Sequence, residues 1–328
     1  MRTGRIGAVL ARADRFLLLL IATVALAAVL PARGQAAVWV EHGTTVAVAL
    51  LFLLYGARLA PQAIWAGLAQ WRLQLLVFAS TFLLFPLIGL GVAAATHAWL
   101  PAPIVTGLLY LCLLPSTVQS SIAFTSIARG NVPAALCSAS LSNLVGVVIT
   151  PLLVAQLLAT ASGGLSLDAL RDIALQILLP FVVGQAVRPW AQGWLLAHPL
   201  LTKVVDRGSV LVVVYAAFGA GVVAGLWHHV SPLTLVAIVL VSLVILAIVI
   251  AAMTLASRAL GFTVPDEIAT VFCGSKKSMA SGIPMAAILF PSHSVGLVVL
   301  PLMIFHQVQL FVCAWLARRY AERADQNG

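Results

Sequence analysis

Two adjacent lysines stand inside an apolar segment, VFCGSKKSMASGIPMAAILF, where Lys276 and Lys277 follow Gly274 and Ser275. An ammonium at bilayer depth costs at least about 2.5–3.5 kcal/mol, so such a group marks a ligand site, an ion pathway or a built-in charge. The nine acids of the chain offer no ready partner. Asp266 and Glu267, the nearest in sequence, lie about ten residues back, roughly 15 Å along a helix. Asp206, near the start of the seventh apolar run, could reach in. Three outcomes stay open: an anionic ligand pairs with a lysine, a lysine loses its proton on burial, or water fills a cavity around it. Neighbouring residues of a helix point about 100° apart, so separate roles are expected for the two.

A second segment has the same character. LYLCLLPSTVQSSIAFTSIARGN carries Pro115 at mid-run, then Ser116, Thr117, Gln119, Ser120, Ser121, Thr125 and Ser126. Backbone groups freed by a breaker in lipid must find partners inside the protein, so these clusters mark a cavity or a packed interior. Pro115, Gly274, Gly282 and Pro284 are read as helix breaks. Kinked helices stapled to their neighbours by Ser and Thr would account for the clusters, but not for two lysines. Asn143, Gln185, His306, Gln307 and Gln309 could complete a polar lining, and His306 could equally be a packed, hydrogen-bonded residue.

The elements that must position these residues are membrane helices. The chain has 328 residues, 62% hydrophobic and 8% charged, against about 25% charged in an ordinary soluble domain. A soluble enzyme, a disordered chain and a fibrous repeat are excluded, leaving an all-α polytopic membrane protein. Ten apolar runs, at 16–32, 43–59, 73–95, 104–128, 132–159, 170–189, 205–226, 232–257, 267–290 and 295–317, approach the ~20 residues of a crossing. The first also resembles a signal peptide, but similar segments follow directly, so it is read as an uncleaved span. With the N-terminus inside, the inner segments hold fourteen Lys and Arg and the outer loops only Arg33 and Arg171. This positive-inside bias places both termini in the cytoplasm. The net charge of +9 then reflects loops facing anionic lipid rather than nucleic acid. The four cysteines are scattered through apolar runs, as buried thiols would be, and form neither a disulfide framework nor a metal pattern.

The two polar, broken segments are the fourth of the first five runs and the fourth of the second five. Five is odd, so the second half must run inverted, and paired interrupted helices in an inverted repeat point to a midplane site in a secondary transporter. The organisation expected is a cytoplasmic tail over 1–15, one five-helix repeat over 16–159, its inverted counterpart over 160–317 and a second tail over 318–328.

Four stretches, LLYGARLAPQAI, LPSTVQSSIAFTSIARGNVPAALCSASLSNL, FCGSKKSMASGIPMA and LPLMIFHQVQL, resemble the bile acid:sodium symporter family, most of all its bacterial SBF-like branch. The resemblance implies ten helices as two inverted five-helix repeats, with helices 4 and 9 broken and crossing. It also implies a panel domain of helices 1, 2, 6 and 7 and a core domain of helices 3–5 and 8–10. The family's first sodium site uses a serine–asparagine pair that falls on Ser120 and Ser121, two span-five ligands that fall on Ala135 and Ala139, and a glutamate that falls on Phe272. Its second site uses that glutamate, a glutamine that falls on Lys276, and a span-three glutamine that falls near Thr81. The asparagine of the same motif falls on Lys277. Both sites thus look dismantled. The expectation is that the Lys276 ammonium replaces the second sodium, with Thr81, Ser275 and Phe272 about it. Lys277 would then face a cavity with Gln119, Ser120, Ser121, Asn143 and His306 and pair with the substrate. In a variant, Lys276 exchanges a proton and transport depends on pH.

The function expected is secondary active transport of a small organic anion by alternating access in a bacterial inner membrane, with no metal or cofactor. Two other readings stay open: a sodium-coupled symporter with displaced ligands, and a non-transporting membrane regulator or receptor. A sodium/proton antiporter would need paired intramembrane aspartates. An enzyme would need a carboxylate pair, HExxH or a Ser/His/Asp set at one depth, and a primary pump GxxxxGK[ST]; none is present.

Overall fold

A computed structural model describes residues 15–58, 70–158, 174–225 and 230–326, and every regular element among them is helical. The tail arginines Arg2, Arg5 and Arg12 and the outer Arg171 lie outside the described residues. The helices are α1 (Arg15–Val29), α2 (Gln35–Arg58), α3 (Trp71–Thr96), α4 (Ala102–Leu113), α5 (Val118–Ile127) and α6 (Val132–Leu157). They continue with α7 (Leu179–Ala197), α8 (Pro199–Val223), α9 (Pro232–Ala259), α10 (Val264–Gly274), α11 (Met279–Leu289) and α12 (Ser292–Gln326).

Helix starts follow from side chains that replace the missing intrahelical acceptors. Asn131, Ser231, Thr263 and Ser278 accept from the backbone N–H groups of Ala134, Thr234, Asp266 and Ser281, and prolines occupy the first turn of α6, α9 and α10, where no N–H is needed. Six helices, α2, α3, α6, α8, α9 and α12, are long and apolar enough to cross a bilayer, and α4 with α5 forms a seventh segment bent by 62°. The chain is an integral membrane protein.

The runs expected at 16–32, 170–189 and 267–290 differ from this set. The first forms the short α1. The second, described from residue 174, opens with a π-helical turn, Ala174–Leu178, and continues as α7 to Ala197, with only His198 before α8, because Trp190 and Trp194 extend an amphipathic helix with both indoles exposed. The third is divided between α10 and α11 by the lysine segment.

The helix α2 lies against α7 and α8, and α8 packs also on α1, α11 and α12; α10 is surrounded by α3, α5, α6 and α9, while α12 packs on α4, α8, α9 and α11. Backbones approach closely between α2 and α7: a Cβ on Gly56 would strike the Phe181 carbonyl, and one on Gly184 the Leu53 carbonyl. In a membrane, where helices gain nothing by leaving lipid for lipid-like neighbours, such small-residue contacts hold them together.

Candidate functional site where two helix breaks meet

The site begins with a shortage of hydrogen-bond donors. A helix ends with carbonyls that have no intrahelical partner, and α4 and α10 both end inside the protein. At the end of α10 four serine hydroxyls donate to successive carbonyls, of which Val271 O also takes the Ser275 N–H. Ser275 Oγ donates to Val271 O (2.6 Å), Ser121 Oγ to Phe272 O (3.0 Å), Ser116 Oγ to Cys273 O (2.6 Å) and Ser80 Oγ to Gly274 O (2.7 Å). The donors come from α3, α5, the break before α5 and the break after α10, so one helix end ties four segments together.

At the end of α4 a charge does this work. Lys277 is fully buried, and its ammonium donates to Leu114 O (2.7 Å), Cys112 O (3.0 Å) and Thr81 O (3.0 Å), above the Phe85 ring (4.0 Å to its centre). Thr150 Oγ1 donates to the intervening Leu113 O (2.9 Å). The Thr81 carbonyl is free for a reason written in the sequence. It lies in a π-helical turn, Ser80–Leu84, whose i to i+5 pairing would need an N–H from residue 86, and that residue is Pro86. The lysine fills the vacancy that the proline leaves.

The two breaks also join directly. Ser278 N donates to Pro115 O (2.9 Å), and Asn143 Nδ2 bonds Ser116 O. Gln309 brackets the lysine segment from α12, accepting from Lys277 N (2.9 Å) and donating to Lys277 O (3.1 Å).

Lys276 points elsewhere. Its ammonium, also buried, donates to Ser120 O (2.7 Å) and lies over the Phe124 and Phe272 rings (4.1 and 5.2 Å to the centres). Phe272 in turn contacts Tyr320, whose hydroxyl donates to Glu267 (2.8 Å), and Glu267 also pairs with Arg258 (2.9 Å).

Beside the two joined breaks lies a cavity of about 450 Å³. Its one wall consists of the first turns of α5 and α11, with Gln119, Ser120 and Ser278, together with Asn143 and His306. The facing wall carries Tyr55 and Arg58 from α2 and Asp206 and Arg207 from α8. Two helix N-termini thus open into one space, α5 without a side-chain cap and α11 capped by Ser278, each bringing the positive end of a dipole.

Several expectations are corrected by this arrangement. Lys277 does not face the cavity: three carbonyls hold it inside the protein. Ser121 is likewise turned inward, onto α10. Thr81 serves Lys277 rather than Lys276, and Ser275 caps its own helix. Gly282 and Pro284 do not break a helix, for α11 runs through both; Gly282 instead lets α11 pack on Leu114 and takes the Tyr110 hydroxyl on its carbonyl (2.7 Å). Pro115 lies between α4 and α5, and Gly274 is the last residue of α10. Asp206 reaches the cavity, not the lysines, and Tyr55 OH donates to it (3.0 Å). His306 lines the cavity and pairs with Gln309 (2.9 Å). The residues missed in sequence were Ser80, a small hydroxyl beside Thr81 in an apolar run, and Tyr55, Arg58 and Arg207, which read as an ordinary aromatic and loop-end charges.

The sequence pattern of the SBF-like CPA transporter family matches residues 14–322. "Uncharacterized protein PA2026" of Pseudomonas aeruginosa is 54% identical over 313 residues, covering 95% of this chain and 94% of its own. "Putative symporter YfeH" of Escherichia coli (strain K12) is 51% identical over 313 residues, with the same coverage, 95% and 94%. The rat sodium/bile acid cotransporter 7 is 26% identical over 275 residues, 81% of this chain and 79% of the relative.

Proposed function

The chain belongs to the SBF-like CPA transporter family, and from that premise and the geometry of the joined breaks we propose a secondary active transporter of a small organic anion, working by alternating access. In this reading α4 with α5 and α10 with α11 each count as one broken span. Together with α1 and α7 they make ten, arranged as inverted repeats over 16–159 and 160–317. The helices α1, α2, α7 and α8 form a panel and the others a core, the cavity lies between them, and both termini are cytoplasmic in a bacterial inner membrane.

The observation that carries the reading is the cavity of about 450 Å³ onto which the N-termini of α5 and α11 open. The uncapped start of α5 and two positive dipole ends suit a carboxylate or sulfonate. The apolar residues among the lining, such as Phe181, Val210 and Leu310, suit an organic body.

Sodium has no role in this reading. The three carbonyls around Lys277 are the kind of oxygen shell a hard cation takes, and the ammonium already occupies it. The built-in cation expected at Lys276 is therefore assigned to Lys277.

The test is thermal stabilisation of the purified full chain by a library of carboxylates and sulfonates, with and without sodium. A ligand of the folded state raises the unfolding temperature by mass action. Stabilisation that ignores sodium and weakens in Gln119→Ala is expected. Stabilisation by sodium alone would show that the protein is an ordinary symporter.

A further inference from the structure

A carboxylate shares the cavity with the helix N-termini. Asp206 is the one acid among the described residues that line it. Tyr55 OH donates to its Oδ1 at 3.0 Å, while Arg207 rests over the Phe16 ring (5.2 Å to the centre). Asp206 is thus held by a hydroxyl and not locked in an ion pair with either arginine. The ionisable groups facing it are Tyr55 and Arg58 on α2, Arg207 on α8 itself and His306 across the space on α12. The lining from α1, α5, α6, α7 and α11 brings none.

We propose that Asp206 is a proton-loading site that shares this cavity with the transported anion, so that proton and anion bind together. The inference rests on the reading of the cavity as an anion site. A space of about 450 Å³ is roughly 10 Å across, and two negative charges confined there at low dielectric oppose one another. A proton from solvent at the cavity mouth forms an O–H bond on the Asp206 carboxyl and removes one of those charges. The neutral acid still accepts from Tyr55, and Arg58 and Arg207 are left to the incoming anion. Linkage makes the effect reciprocal: a bound anion raises the affinity of Asp206 for its proton by the factor that the proton raises anion affinity. On the far side of the membrane the proton returns to water and the anion leaves with it. The cargo of one cycle is one proton with each anion, the stoichiometry of a proton symporter.

The test uses the full chain in lipid nanodiscs, with hexanesulfonate as a probe whose own charge does not change with pH. Its affinity is expected to fall about tenfold per pH unit above the carboxyl midpoint. Asp206→Asn should bind independently of pH and as tightly as the acidic wild type, and Tyr55→Phe should displace the profile. His306→Gln, whatever its affinity, should keep the slope. A slope that persists in Asp206→Asn, or vanishes in His306→Gln, overturns the proposal. Infrared difference spectra supply a reading that needs no probe: a protonated-carboxyl band should grow on acidification and be missing in Asp206→Asn. The same band in both proteins overturns the proton site. Sulfonate binding with no pH dependence leaves the anion reading standing and removes the coupling. An Asp206 band in a protein that no sulfonate or carboxylate stabilises leaves the proton site and overturns the anion reading.

Discussion

The Lys277 ammonium donates to the Leu114 carbonyl at 2.7 Å, so the break that follows α10 is fastened to the break that follows α4. A positive charge is a stable tenant there because helix carbonyls ending in a dry interior carry partial negative charge that no solvent screens. The same ammonium also reaches α3 through Thr81, and one side chain therefore links three chain segments that are far apart in sequence.

Replacing Lys277 by Met should destabilise the fold by several kcal/mol, since each buried carbonyl left without a donor costs about 1–3 kcal/mol. The unfolding midpoint of the purified protein reads this. Sodium at high concentration should recover part of the loss in the variant, by entering the vacated oxygen shell, and do nothing for the wild type. An unchanged midpoint would show that the shell does not depend on its charge.

Lys276→Gln should cost less. Its amide can still donate to Ser120 O, and what disappears is chiefly the contact with the Phe124 and Phe272 rings, worth about 2 kcal/mol when desolvated. Equal losses in the Lys276 and Lys277 variants would contradict the division of roles drawn from their partners.

The four serines at the end of α10 should each contribute modestly, because interhelical hydrogen bonds in membranes average about 0.6 kcal/mol, with a maximum near ~1.7 kcal/mol. Ser116→Ala, which removes a 2.6 Å bond to Cys273 O, belongs at the upper end. The combined Ser80, Ser116 and Ser121 alanine variant should lose more than the sum of the singles, because each single change still leaves neighbouring carbonyls capped. Equilibrium unfolding of the singles and the triple decides between additive and cooperative capping.

Gly184→Ala should weaken the packing of α2 on α7. The added methyl meets the Leu53 carbonyl, a backbone atom that cannot rotate away, and overpacking of this kind costs about 1–3 kcal/mol. Gly193→Ala on the same helix, where a Cβ would meet nothing within 4 Å, is the control. Equal midpoints for the two variants would refute the close contact.

Asn131→Ala should destabilise by about 0.5–2 kcal/mol, the usual cost of a lost N-cap. Asn131 caps α6 through Ala134 N and also donates from Nδ2 to Asp266 (2.7 Å) at the start of α10. Proteolysis at the α5–α6 turn, where Arg129 has a φ of 59°, should then become faster. An unaltered cleavage rate would mean that the turn holds without its asparagine.

Membrane residence and the interruption of two helices were legible in the residues themselves. A bilayer reads composition one segment at a time, so 62% hydrophobic residues and lysines at mid-run carry their meaning locally. The Pro86 signal was equally local but silent, because a missing N–H becomes informative only once the donor that replaces it is known. The family resemblance was carried by four short stretches of a chain that is 51–54% identical to two of its relatives.

What the sequence could not supply was direction. Lys276 and Lys277 are neighbours with one chemistry, and nothing in their order says which reaches the carbonyls at the end of α4 and which the Ser120 carbonyl on α5; the partners come from α3, α5 and the end of α4, more than 150 positions away. Gly282 and Pro284 read as breakers by residue type, yet α11 runs through them because its packing on Leu114 and Tyr110 outweighs local propensity. Arg58 and Arg207 read only as basic residues of the inner segments and Asp206 as a candidate partner of the lysines, until α2 and α8 brought all three to one cavity with Tyr55. Residue types alone thus determined where charge and breaks occur along the chain. Only the tertiary structure decided what each charge touches, because hydrogen bonds and Coulomb interactions act over a few ångströms in space and are indifferent to separation along the sequence.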